Sequence, residues 1–277
     1  MPFTIHDIKM NGIKYPVGVI PLDILVSAIE KERLVESIKG VPGNINYGFD
    51  YKEREITLNF WLKHYHGEHD QKLLKSKLYA MLDSQPYFYI SDDRLPTRVL
   101  KVAIDEPYMP DRINGTNIHT LEVKAQVIGL PFWQSKYTTQ DVEKNSFTSI
   151  VEQFGLADGI NVDYPNYSFT DNNFTVWNGG NTTIDYRNMY LKIEVQNLTT
   201  KGNFTIENLN TGDRFIFNKE VNNQNLVLNG PVITVADDNR LRDTNRAFIK
   251  LKPGENKIKI SNGTFSEINF DFRYLYK

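Results

Sequence analysis

The sequence contains no cysteine among its 277 residues. Disulfide bonds, thiolate nucleophiles and cysteine-ligated metal sites are therefore excluded, and the composition fits a protein made in a reducing cytoplasm. Histidine is scarce as well, with five residues. The chain therefore offers few of the side chains that usually act as general bases or metal ligands.

Sequence motifs for catalysis and nucleotide binding are also missing. There is no Gly-x-Ser-x-Gly elbow, no Walker loop and no Gly-x-Gly-x-x-Gly after a strand. Acidic pairs occur at Asp92-Asp93, Asp105-Glu106 and Asp237-Asp238, but adjacent side chains point apart and cannot face each other across a glycosidic bond. We predict no catalytic residue, no cofactor and no enzymatic activity.

Long apolar runs and an excess of one charge are absent too. No stretch approaches the roughly 18 apolar residues of a membrane span, and the first residues do not resemble a signal peptide. The 32 basic and 34 acidic residues nearly cancel. Because each half of the chain holds 16 basic and 17 acidic residues, neither half predicts a nucleic-acid or membrane partner.

The densest group of potential metal ligands is His64-Tyr65-His66-Gly67-Glu68-His69. Three imidazoles and a carboxylate could bind zinc or nickel. However, alternation places His64 and His66 on one strand face, whereas His69 falls at the start of a predicted helix. The order also differs from the His-Glu-x-x-His of metalloproteases. The sequence therefore favours structural roles for these residues and predicts no metal site.

The residues that are present predict a mostly β protein. Apolar and polar residues alternate through most of the first third, and a hairpin is predicted around Leu25–Ile38. The segment Val41–Gly48 is rich in turn residues and predicts a loop or a hairpin tip. Apolar spacing predicts one helix over Asp70–Leu82, with Asp70 as its cap. One helix among many strands indicates a β-barrel or sandwich carrying a helix on one side.

A change in composition divides the chain. Residues 1–135 contain 6 Asn and residues 136–277 contain 22. The second half shows short alternating strands separated by Asn, Gly and Pro turns, which is typical of an all-β sandwich. We predict a first domain at 1–135, a polar linker at 136–150 and a second domain at 151–277.

Aromatic residues offer one candidate binding face in the second domain. Trp177, with Tyr164, Tyr167, Tyr186 and Tyr190, could stack on sugars at the surface of a β-sandwich. Of these, Trp177, Tyr186 and Tyr190 are the candidate glycan-facing residues. Most of the 31 Tyr and Phe residues are expected to be core or interface.

The order of these features resembles the distal tail protein family of long-tailed, non-contractile phages and prophages of Gram-positive bacteria. The resemblance rests on Val41-Pro42-Gly43 before a long strand, the single helix, Gly129-Leu130-Pro131-Phe132-Trp133 as the exit from the first domain, and Pro253-Gly254-Glu255-Asn256-Lys257 near the end. The resemblance covers the organisation of the whole chain, and the motifs that carry it are short.

The resemblance implies a structural hub at the tail tip of the virion, assembled in the cytoplasm of the bacterial host. The first domain would form a homo-hexameric ring around a channel, and the second, galectin-like domain would project outward. The expected partners are further copies of the chain, the tail tube protein, the tip or fibre protein and a host cell-wall glycan. The alternatives are a carbohydrate-binding module and a glycan-acting enzyme.

Overall fold

A computed structural model describes residues 2–144 and 158–277. The chain divides into two compact units, the first reaching Trp133 and including Lys277, and the second running from Gln134 to Tyr276. Both units consist largely of antiparallel strands. The predicted mostly-β fold is confirmed. Among the helices of the described residues, none is long and apolar enough to cross a membrane.

The first unit contains nine strands before its boundary. Six of them form a sheet in the order β1-β6-β7-β9-β5-β2, β8 pairs with β9, and β3 pairs only with β4. The strands are β1 Phe3–His6, β2 Val19–Val26, β3 Lys31–Glu36, β4 Ile45–Tyr51, β5 Ile56–Lys63, β6 Phe88–Asp92, β7 Arg98–Ala103, β8 Asp111–Arg112 and β9 Ile118–Val127.

Period-two alternation explains why the central strands of this sheet form. In β5, Ile56, Leu58, Phe60 and Leu62 are buried, while the residues between them are more exposed. The sheet curls until Phe3 of β1 contacts Phe60 edge-to-face, with ring centroids 5.1 Å apart. This curling encloses the core, as expected for the predicted barrel.

The predicted helix is confirmed and begins three residues earlier, as α1, Gly67–Leu82. Leu74, Leu78 and Leu82 are its buried face. The prediction of Asp70 as the cap is wrong, because the N-cap is His66 and Asp70 lies inside the first turn. One of its carboxylate oxygens accepts the backbone N–H groups of Tyr65 and His66 at 2.7 and 3.1 Å. These two bonds lower the pKa of Asp70.

The hairpin predicted around Leu25–Ile38 is wrong. Strand β2 pairs with β5, and β3 pairs with β4. The first residues of β4, Ile45–Gly48, belong to the segment Val41–Gly48, which the sequence predicted as a loop or a hairpin tip. The physical reason is that β2 packs on the barrel core through Val19, Ile24 and Val26, whereas β3 has no buried residue. Because β2 is held by this core and by its pairing with β5, the neighbouring strand left for β3 is β4.

The second unit is a β-sandwich. One sheet has the order β11-β20-β13-β16-β17-β18 and the other β12-β19-β14-β15. The elements from the boundary onward are β10 Trp133–Ser135, β11 Ser168–Phe169, β12 Asn173–Asn178, β13 Leu191–Thr200, β14 Phe204–Asn208, β15 Arg214–Phe217, β16 Val221–Asn229, β17 Val232–Val235, β18 Asp238–Asn239, a 3-10 turn Leu241–Asp243, β19 Gly254–Ser261, β20 Glu267–Phe272 and β21 Leu275–Tyr276.

The core of this unit forms between its two sheets. Ile193 and Val195 of β13 are buried, as are Ile258 and Ile260 of β19 in the other sheet. Aromatic contacts join the layers, because Phe174 of β12 stacks on Phe169 at 4.1 Å and meets Phe270 edge-to-face at 5.9 Å. The alternation seen in the sequence therefore marks which face of each strand points inward.

The linker predicted at 136–150 needs correction. Residues 145–150 lie outside the described residues, but residues 136–144 belong to the second unit, and a helix starts at Thr139. Tyr137, Thr139 and Val142 are buried there. The hydroxyl of Thr139 donates to the Phe270 carbonyl at 2.9 Å. The polar composition misled the prediction because these polar side chains bond to strand backbone.

Candidate functional site

The most exposed regular structure of the first unit is the hairpin β3–β4, residues 31–51, which we call the arm. All six residues of β3 are exposed, and only Gly48 and Tyr51 of β4 are half-buried. The arm nevertheless carries many apolar side chains. Those more than a third exposed are Leu34, Val35, Ile38, Val41, Ile45, Tyr47 and Phe49.

Contacts within the arm hold its shape. The ammonium of Lys31 lies 4.8 Å from the ring centroid of Phe49, and Tyr47 donates from its hydroxyl to Glu36 at 3.0 Å. Lys52 and Glu32 form an ion pair at 2.5 Å. Both of these charges are about half exposed, so the pair contributes little to stability.

The base of the arm is anchored more firmly. Tyr51 packs edge-to-face on Phe132 at 5.5 Å, and the buried Arg54 donates from Nε to the Pro131 carbonyl at 2.7 Å and from Nη1 to the Ser27 carbonyl at 3.4 Å. Burial lowers the pKa of Arg54. The arm thus projects from a fixed base.

A two-stranded hairpin with a water-exposed apolar surface is marginal on its own. Contiguous exposed apolar patches on soluble proteins usually mark interaction sites. The arm also has unpaired backbone edges that another chain can cover. Its chemistry therefore suits docking onto protein and has no feature of a reaction site.

A second apolar patch lies on the barrel. Ile20 of β2 and Trp61 of β5 are cross-strand partners, and each is 40% exposed. Strand β2 ends the order of the main sheet, so the patch lies beside a strand edge. We call Ile20 and Trp61 the edge patch.

The histidines considered as metal ligands are spread over different elements. His64 follows β5 and faces His119 of β9, with ring centroids 5.6 Å apart. His66 precedes α1 and His69 lies in its first turn, and both are exposed. Within residues 2–144 and 158–277, no group of three or more His, Asp or Glu side chains is placed to hold a metal ion.

Members of two of the three acidic pairs are bonded to neighbouring groups of the protein. One oxygen of Asp92 accepts the Arg94 backbone N–H at 2.9 Å, and Asp93 accepts the Thr4 hydroxyl at 2.7 Å. Arg240 pairs with Asp238 at 3.3 Å. These bonds hold the carboxylates against the protein itself, and none of them places two carboxylates opposite each other across a cleft.

The three candidate glycan-facing aromatics have separate surroundings. Trp177 stacks on Tyr164 at 6.1 Å and donates its indole N–H to the Gly159 carbonyl at 2.8 Å. Tyr186 stacks on Phe248 at 4.0 Å. Tyr190 is 45% exposed and precedes β13. Among the described residues, the ring contacts join no two of the three predicted residues.

Tyr190 has a charged partner that the sequence did not reveal. Its hydroxyl donates to the carboxylate of Asp271 on β20. Burial and this carboxylate raise the pKa of the Tyr190 hydroxyl. The tyrosine hydroxyl is therefore held by a carboxylate that lies 81 positions further along the chain.

Comparisons with known proteins agree with this structure. Residues 18–125 match the family model described as phage tail protein RIFT-related domain. The whole chain has the fold of the Dit protein (gp 19.1) of phage SPP1, with a TM-score of 0.68 and 14% identity over 99% of this chain and 100% of that chain. That protein is described as a paradigm of the hub adsorption apparatus in phages that infect Gram-positive bacteria.

Two further solved structures are much more distant. Chains of the phage p2 baseplate in its activated conformation give TM-scores of 0.43 with Sr and 0.44 with Ca. Their identities are 10% and 9%, over 98% and 99% of this chain and 97% of each p2 chain. No curated protein sequence matches the chain. The resemblance predicted from the sequence is confirmed by the family model in the first unit and by the SPP1 Dit fold throughout.

Proposed function

We propose that this chain, whose residues 18–125 form a phage tail protein RIFT-related domain, is the structural hub of a phage tail tip. It would join the tail tube to the tip or receptor-binding apparatus, as a homo-hexameric ring in the virion. The role needs no catalytic residue, and we propose no enzymatic activity. The observation that carries this function is the exposed apolar arm on an otherwise well-packed phage tail domain.

A ring requires two different surfaces on each copy, because a heterologous interface repeats head to tail until it closes. The arm and the edge patch meet this requirement. We assign the arm of one copy to the edge patch of the next, since both surfaces are apolar and both lie beside unpaired strand edges. Covering them would remove the exposed apolar side chains of the arm and of the edge patch from water.

Oligomeric state tests this proposal directly. The full chain should have the mass of six copies by light scattering and should show six-fold rings in negative stain. A stable monomer at the highest concentration at which the chain stays soluble would contradict the hub.

Substitutions in the arm sharpen the test. The double change Leu34→Asp and Val35→Asp places charges on both faces of β3, and burying either charge in an interface is costly. We expect loss of the ring with an unchanged melting temperature of the monomer, because both residues are exposed. Leu73→Asp is the matched control, since Leu73 is 60% exposed on the outer face of α1. Rings that survive the arm change, or disappear equally with the control, would refute the arm as the contact.

A further inference from the structure

The outer face of the first sheet of the second unit carries a polar groove that the hub surfaces do not use. Alternate residues of β13 point inward and are buried, and those between them point out. Strand β20 does the same. The antiparallel register sets the outward residues opposite one another as the pairs Lys192–Asp271, Glu194–Asn269 and Gln196–Glu267.

These three pairs form the floor of a cavity of about 470 Å³. A second cavity of about 550 Å³ adjoins it and shares Lys192 and Glu194 as lining residues. The second cavity extends over β16 and β17 at Asn225 and Thr234. We call the two cavities together the groove. The groove crosses four neighbouring strands, a span of about 14 Å.

The side chains that line the groove indicate which class of ligand it can bind. Its lining consists mostly of amides, carboxylates, hydroxyls and two lysines, with Val227 and Ala236 as apolar members, which suits a molecule with many hydroxyl groups better than an apolar one. Among the described residues that line the groove, acidic side chains outnumber the lysines, and Lys192 is already paired with Glu194 at 2.8 Å. An anionic polymer would be repelled by this surplus of negative charge.

Hydrogen bonds within the protein hold the side chains that form the walls of the groove in place without a ligand. Glu143 accepts the hydroxyl of Ser168 at 2.7 Å and the backbone N–H of Tyr167 at 3.2 Å. Gln140 reaches the Phe270 carbonyl from its amide at 3.4 Å. A pre-organised polar wall reduces the ordering cost of binding.

The floor also contains an acceptor without a donor. The amide nitrogen of Asn269 donates to Glu267 at 3.3 Å, whereas the Asn269 Oδ1 is buried and has no hydrogen-bond partner within residues 2–144 and 158–277. Buried acceptors are rarely left unsatisfied, so each one calls for an explanation. A ligand hydroxyl or a water molecule held in the groove would supply the missing donor.

An aromatic ring flanks this floor. Tyr190 is 45% exposed, and its hydroxyl is fixed by Asp271 at one end of the floor. A rigid, exposed tyrosine next to planar polar side chains offers the apolar face of a sugar ring a stacking surface and its hydroxyls a set of partners.

We propose that the groove binds an uncharged oligosaccharide, neutral or N-acetylated, across β20, β13, β16 and β17. Of the aromatics predicted to face a glycan, the proposal uses Tyr190 and adds the polar floor that includes Glu194 and Asn269. The groove belongs to the second unit alone. Binding and ring assembly can therefore fail independently of each other.

An array of glycans probed with the full chain tests the proposal. It should carry neutral and N-acetylated oligosaccharides together with polyol phosphate polymers, and titration calorimetry should follow on each bound glycan. We expect binding to neutral or N-acetylated members, and affinities roughly tenfold weaker for Glu194→Ala and for Tyr190→Ala. The thermal melt of each variant should match that of the parent chain.

Matched changes distinguish the groove from other surfaces. Glu207→Ala is the control, because Glu207 is a half-buried glutamate of β14, in the opposite sheet, and its loss should leave affinity unchanged. The proposal is overturned if no uncharged glycan binds, if only polyol phosphates bind, or if Glu194→Ala and Tyr190→Ala bind as the parent does. It is also overturned if Trp177→Ala abolishes binding while the groove variants retain it, since that result assigns the glycan to the Trp177 face.

Discussion

Three fully buried asparagines hold the turns at one end of the second unit. Asn208 donates from its side-chain amide to the oxygen of Asn256 at 3.0 Å and to the Lys250 carbonyl at 2.8 Å. Asn256 accepts the Lys252 backbone N–H at 2.9 Å. Asn178 donates to the carbonyl of Thr182 at 3.0 Å. These bonds account for part of the asparagine enrichment in the second half of the sequence.

We expect Asn256→Ala to lower the free energy of unfolding of the second unit by about 3 kcal/mol, because it leaves the buried Asn208 amide and the half-buried Lys252 N–H without their acceptor. Calorimetry of the full chain measures this change. Asn229→Ala is the matched control, since Asn229 is exposed on β16, and it should shift stability by less than about 0.5 kcal/mol. Equal effects of the two changes would show that the amide network adds no stability.

We expect one buried histidine to make the stability of the first unit depend on pH. His119 is 5% exposed, and its Nε2 lies 3.1 Å from the side-chain amide of Gln71. Burial lowers the pKa of His119 below its ordinary value of 6.5, and the neighbouring His64 and Arg112 lower it further. The folded protein therefore disfavours the charged imidazole.

The sign of the pH effect follows from this shift. Below about pH 6.5 the unfolded chain takes up a proton at His119 more readily than the folded chain does, so stability falls as the pH drops from 6.5 towards the folded pKa. Melting temperatures measured between about pH 7.5 and pH 5 should fall less steeply in His119→Gln than in the parent. His66→Gln, at an exposed histidine, should keep the parent slope. Parallel curves for parent and His119→Gln would argue against the assignment.

At the scale of elements, two chain segments of the second unit cross without room for a side chain. A Cβ added to Gly179 would lie 1.9 Å from the Gly159 carbonyl oxygen. The same region is tied by the Trp177 indole, which donates to that oxygen. The glycine after β12 is thus required by a close approach of backbone to backbone.

We expect Gly179→Ala to destabilise the second unit by about 3 kcal/mol, because the backbone must move to relieve the overlap. Gly12→Ala is a suitable control. Its added Cβ would find its nearest neighbour at 3.5 Å, an ordinary contact, and Gly12 has no left-handed φ. Thermal unfolding of the two variants compares their stabilities. A Gly179→Ala protein as stable as the Gly12→Ala protein would show that the segments can separate at little cost.

The arm shows how an element can be regular and yet contribute little to its own unit. Its ladder pairs Lys31 with Tyr51 and Glu36 with Ile45 across an irregular register, and the burial that usually stabilises a hairpin is absent. The proposed hub role supplies that burial from a neighbouring copy. The same physical argument explains why apolar side chains are tolerated on an exposed hairpin.

At the scale of the whole molecule, balanced charge and two separate units fit a building block. The formal net charge is −2, so long-range electrostatic forces neither drive nor oppose the approach of identical copies strongly. The first unit contains the residues that match the phage tail protein RIFT-related domain, 18–125, and carries both apolar patches. The second unit carries the polar groove. We therefore propose that the first unit assembles the ring and that the second unit binds the oligosaccharide.

Local patterns in the sequence determined much of this fold. Alternating residues located β5, β9 and β13, helical spacing located α1, and the absence of cysteine removed thiol chemistry. These features were predictable because each depends on neighbours within a few positions along the chain. The resemblance to tail proteins also came from short motifs of this kind.

Strand pairing and surface patches were decided only by the tertiary structure. The sequence predicted Leu25–Ile38 as a hairpin, but β3 pairs with β4 because β2 is drawn to the barrel core. The groove floor joins β13 to β20, whose paired residues lie more than 70 positions apart. No local pattern encodes such a pairing, because the energy that selects it is the burial of the opposite strand faces, Ile193 and Phe270 among them, in a common core.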